Sequence, residues 1–240
     1  MQPARIGTDW QLGVLLRGEP ASLRAWSESW KAVRLGQAFL LIIVGAGLYG
    51  AAMGCWRAPE QALFVAIKFP LIILLTTLGN AVLNAILAPL LGLKTTFRQS
   101  FFAILMSFMI AAAILGSFSP LVLFVIWNVP PLTARSGETI IIYSSMLLTH
   151  VAIIALAGTI ANCRLFQLLR ELSGNAAVAR RVLIAWLAGN LFLGSQLCWI
   201  LRPFIGSPDL PVQFFRATAF HGNFYEAVFH SLIRVLNPSH

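Results

Sequence analysis

The chain has 240 residues, of which 58% are apolar and 10% charged, with a net charge of +9. Soluble domains carry roughly 25% charged residues, whereas here the apolar residues gather in long runs. That excludes a soluble globular domain and predicts an all-α integral membrane protein: a five-helix transmembrane bundle with interfacial amphipathic helices at both ends.

Residues 1–36 read as an N-terminal cytoplasmic interfacial segment. No short apolar stretch with a small-residue cleavage site opens the chain, so no signal peptide is expected. Within PASLRAWSESWKAVRLGQAF, Leu23, Trp26, Trp30 and Val33 recur at spacings of three and four, with Arg24, Glu28, Lys31 and Arg34 around the other side. This is the pattern of a helix lying in the head-group plane, and it makes Trp26 and Trp30 candidates for lipid or partner docking.

Residues 37–205 read as the transmembrane domain, with spans at about 37–54, 63–92, 99–127, 139–163 and 182–201, since roughly 20 apolar residues cross the hydrocarbon core. In the first span, GAGLYGAAMG places Ala46, Gly50 and Gly54 on one face with Gly47 beside them. Such a groove lets a second helix approach closely. The second and third runs exceed a crossing and contain Pro70, Pro89 and Pro120, which predicts tilt and kinking or ends laid along the interface. Along the second, Lys68, Thr76, Asn80 and Asn84 fall on one i, i+4 stripe with Ile72. Amides are costly in hydrocarbon, so this face should turn inward to Ser107, Thr159, Asn162, Asn190 or Gln196.

The fourth run, TIIIYSSMLLTHVAIIALAGTIANC, carries His150 near its middle, where an imidazole can be a structural hydrogen-bonding group or a ligand of haem iron or chlorophyll magnesium. His221, His230 and His240 lie beyond the last span, so bis-histidine ligation within this chain is not expected. Most simply, no cofactor is bound. Cys55, Cys163 and Cys198 stand singly, without a C-x-x-C pair or zinc spacing. No phosphate loop, nucleophile elbow, H-E-x-x-H or acid pair occurs in any span, so no catalytic residue, no metal and no enzyme are expected.

Residues 206–240 read as a C-terminal cap on the outer face. CWILRPFIGSPDLPVQFFR places Trp199 at the interface, stops the last helix at Pro203, and turns at Gly206 to Asp209. Arg202, Phe204, Phe214 and Phe215 become docking candidates for lipid or a partner. After Asn223, Phe224, Val228, Ser231, Leu232 and Val235 form the stripe of a second amphipathic helix.

Lysine and arginine set the orientation. With the N-terminus inside, the inner segments hold Arg5, Arg17, Arg24, Lys31, Arg34, Lys94, Arg98, Arg164, Arg170, Arg180 and Arg181, and the outer side holds Arg57, Lys68, Arg135, Arg202, Arg216 and Arg234. The bias predicts a cytoplasmic (inner) membrane protein with its N-terminus inside and its C-terminus outside. The positive charge then reads as topology and attraction to anionic head groups, not as a nucleic-acid site.

Five spans and the central stretch FPLIILLTTLGNAVLNAILAPLLGLKTTFRQSFFAILMSFMIAAAILGSF resemble the Ypt-interacting protein (Yip) membrane domain over about residues 60–200. The resemblance implies a non-enzymatic protein acting through helix and protein contacts, which in eukaryotic members means association with trafficking GTPases. This chain lacks their long acidic or proline-rich cytosolic domain, which puts GTPase binding in doubt, and no functional residue carries over by position. The expected function is that of a structural, assembly or accessory subunit among other integral membrane subunits. The alternatives are a small-solute transporter or channel along the second span, or a pigment- or haem-ligating subunit through His150.

Overall fold

The computed structural model describes residues 12–17, 26, 32–130, 137–206 and 211–226. A short helix α1 (Leu12–Arg17) precedes five long ones: α2 (Ala32–Cys55), α3 (Pro59–Leu90), α4 (Phe97–Trp127), α5 (Gly137–Ser173) and α6 (Ala176–Leu201). All five are long and apolar enough to cross a membrane, so the chain is a multi-pass membrane protein in contact with lipid. They run alternately up and down. The ends of α2, α4 and α6 and the starts of α3 and α5 therefore meet at one face, the cap end, and the opposite face is the tail end.

The observed helices outrun the apolar runs for local reasons. α5 continues ten residues past 163, where Arg164, Arg170 and Glu171 end the apolar run, because Leu165, Leu168 and Leu169 carry its buried stripe onward. Gly174, at φ 62°, then closes it, with its N–H donating to the Arg170 carbonyl. α6 starts at Ala176 because Asn175 caps it, its side-chain oxygen accepting from the N–H groups of Ala177 (2.8 Å) and Val178 (3.4 Å). At the start of α4, Thr96 and Gln99 form a reciprocal capping box. α3 runs unbroken through Pro70 and Pro89 for 32 residues. At 1.5 Å per residue that is about 48 Å against a core of about 30 Å, so it tilts or projects.

α2 packs on both α3 and α4, α5 on α4, and α6 on α3, with α5 and α6 also touching. The buried apolar side chains form two clusters. One, around Ile42, Phe102, Leu105, Met106 and Trp186, fills the tail half. The other, around Tyr49, Met53, Val65, Val122 and Ile153, fills the cap half. Glycine makes the close approaches possible. A Cβ on Gly50 would stand 2.5 Å from the Val65 carbonyl oxygen, and one on Gly54 would stand 2.6 Å from that of Gln61. Gly47 faces the Ala66 carbonyl, the group that Pro70, lacking an N–H, leaves without its helical donor. Ala46 is fully buried.

Candidate functional site

The polar stripe of α3 turns inward. Lys68, Asn80 and Asn84 are fully buried, and Thr76 nearly so. Asn80 donates through Nδ2 to the Trp186 carbonyl (3.2 Å) and to the side-chain oxygen of Asn190 on α6. α6 comes this close because Gly189 lies against the Asn80 amide and Gly194 faces Thr76. Of the expected partners, Asn190 is the one whose side chain bonds to the stripe. Asn162 and Thr159 instead donate to their own helix, to Gly158 and Ala155 (2.8 Å each). Both face an open groove of about 820 Å³ between α5 and α6. Thr76 Oγ1, Asn80 Oδ1 and both amide atoms of Asn84 are buried without a partner.

The stripe ends beneath the cap. Helical side chains lean toward the helix N-terminus, and for α3 that is the cap end, so the Lys68 stem carries its ammonium toward residues 211–216. Nζ donates to the Gln213 carbonyl (3.4 Å) and lies 5.2 Å from the Phe214 ring centroid and 6.0 Å from that of Phe64. Three further tethers hold the cap. Gln61 donates to the Pro203 and Phe204 carbonyls (2.8 and 3.0 Å). Arg216 donates to the Arg202 and Trp199 carbonyls (3.2 and 3.5 Å). Tyr225 shares a hydrogen bond with Ser195 (2.9 Å) and stacks on Phe192.

The docking candidates fall in different places. Phe204 packs on the cap-half core, and Phe214 sits between Phe64 and Phe215. Phe215 is exposed, as are Phe224 of the C-terminal stripe and Phe220 and Tyr225, which the sequence reading did not single out. The Arg202 guanidinium lies 3.0 Å over the Trp199 ring. Burial, and then the Arg216 charge, hold its pKa below the ordinary arginine value. Trp26 is turned into the protein, 4% exposed and edge-on to Phe102, so in this structure it is not open to lipid or a partner. Trp30 lies outside the described residues. So does the C-terminal amphipathic helix beyond its first turn, which Asn223 caps by accepting from the Glu226 N–H (2.9 Å).

His150 packs against the cap half of α2. Its Nδ1 is hydrogen-bonded to the Tyr49 hydroxyl (2.9 Å). Tyr49 stands six residues from the cap end of α2, about 9 Å along the axis. α5 also has its N-terminus at the cap end, so the imidazole leans that way. His150 and Arg202 both line a cavity of about 300 Å³. Cys55, Cys163 and Cys198 are free thiols. Among the described residues, no cluster of three histidine, cysteine or acidic side chains could hold a metal ion. No protein-family model matches the chain, and no curated protein or solved structure matches it either.

Proposed function

We propose that this membrane protein is a non-enzymatic accessory or assembly subunit, which docks another integral membrane chain through its cap. One observation carries the reading: four side-chain tethers hold the cap, mostly loop and turn with one helical turn at 224–226, on the bundle, while Phe215, Phe220, Phe224 and Tyr225 remain exposed on it. Exposed aromatics on a pre-ordered backbone suit recognition, because little conformational freedom is lost on binding. The role agrees with what the Yip-like resemblance implies. The lysine and arginine bias of the sequence supports an outer-side position for the cap in the inner membrane as part of this reading. Replacing Phe215 and Phe220 together with alanine should leave expression unchanged and weaken retention of a copurifying membrane chain by about tenfold. Retention equal to that of the parent protein would sink the reading.

The transport alternative draws on the unpartnered atoms of Thr76, Asn80 and Asn84. Asn84 tests it best, since its side chain has no hydrogen bond to lose. Transport predicts solute flux in proteoliposomes that falls in Asn84→Leu; flux absent from both forms, or equal in both, counts against it.

A further inference from the structure

The cavity beside His150 has a division of character. Leu147, Val151 and Ile154 of α5 form one wall, and all three are also exposed on the membrane-facing surface. At i, i+4 and i+7 they make a continuous apolar strip running from the cavity down toward the bilayer interior. At the other end stand Arg202 and His150. The Arg202 Nε is buried without a hydrogen-bond partner. His150 is 3% exposed, and with Nδ1 engaged by Tyr49 its Nε2 is the ring nitrogen left for an occupant. Among the described residues, no acidic side chain lines the cavity. Its volume of about 300 Å³ is at the small end of the roughly 300–1,000 Å³ range of ligand pockets.

From this geometry we infer a binding site for an anionic phospholipid of the cap-end leaflet: Arg202 and His150 take the phosphate, and one acyl chain lies along Leu147, Val151 and Ile154. The Arg202 guanidinium, which lines the cavity, is a charge-assisted donor to phosphate oxygen, and the site's low polarity strengthens that bond. The apolar strip explains why the occupant is a lipid and not a free anion. The site is separate from the exposed aromatics of the cap, so it goes beyond the docking reading.

Native mass spectrometry of the detergent-released full chain tests this with phosphatidylglycerol, phosphatidylcholine and inorganic phosphate as probes. One phosphatidylglycerol should stay bound per chain, about tenfold more tightly than phosphatidylcholine. Millimolar phosphate should not displace it. Arg202→Gln should weaken retention about tenfold, since the cap tether from Arg216 uses the Arg202 backbone carbonyl and survives. Val151→Trp, on an exposed position that does not threaten folding, should block the strip and have a similar effect. Equal retention of the two lipids, full displacement by phosphate alone, or unchanged retention in both variants would each overturn the assignment. So would a Soret or red chlorophyll band in the purified protein, because it would give His150 to a tetrapyrrole.

Discussion

Gly50→Ala should destabilise the bundle by about 2–3 kcal/mol, the upper part of the range for overpacking a tight core, whereas Gly36→Ala should be neutral or slightly stabilising. Both glycines are in α2, and both substitutions add a single carbon and raise helix propensity by up to about 1 kcal/mol. The difference is what the carbon meets. At Gly36 it meets nothing within 4 Å. At Gly50 it meets the Val65 carbonyl oxygen at 2.5 Å and the Phe69 Cβ at 3.0 Å. A backbone carbonyl cannot rotate aside, so α2 and α3 must separate, and the cap-half core around Tyr49 and Val65 loses its packing with them. Without water to drive helices together, that close van der Waals contact is a main source of association in the bilayer. Unfolding by SDS titration in mixed micelles measures the effect; equal stability of the two variants would mean that α2 and α3 do not meet on this face.

Asn80→Leu should cost about 1–3 kcal/mol, since it removes the donor to the half-buried Asn190 side-chain oxygen and a second donor to the Trp186 carbonyl, which keeps its own helical N–H partner. The acceptors are the Trp186 carbonyl and the Asn190 side chain, both on α6. The added branch also presses on the Gly189 backbone, which now rests against the Asn80 amide. α6 is vulnerable here because it buries only Ala179, Val182, Trp186 and Leu201. A double-mutant cycle on Asn80→Ala and Asn190→Ala isolates the pair. Coupling of about 0.6–2 kcal/mol is expected for a hydrogen bond between membrane helices. Additive effects would contradict the contact.

The spans were legible because twenty-residue apolar runs leave little choice of structure in a bilayer. The inward turn of the Lys68, Thr76, Asn80 and Asn84 stripe was legible too, because amides in hydrocarbon must find partners. Which partner each one finds was not. Asn162 satisfies itself on its own helix through an i−4 bond, an option that is available at any depth and that spacing cannot discount. The Tyr49 partner of His150 was not legible, because spacing along one helix says nothing of which side chain on another helix it meets. Trp26 looked interfacial because a helix with one apolar face fits a membrane surface or a protein core equally well; contact with Phe102 decided between them. The tethers of the cap had no sequence signal, since most are side chains reaching backbone carbonyls far away in the chain.

The central claim is that the cap is a recognition surface for another membrane protein. A photo-crosslinking side chain placed at Phe220, 78% exposed on the cap, tests it in intact membranes against the same probe at Leu78, 54% exposed within α3. The account predicts a discrete adduct with a second membrane protein from position 220, and only lipid adducts from position 78. Lipid adducts alone from both positions would contradict it and leave the cap as an interfacial anchor.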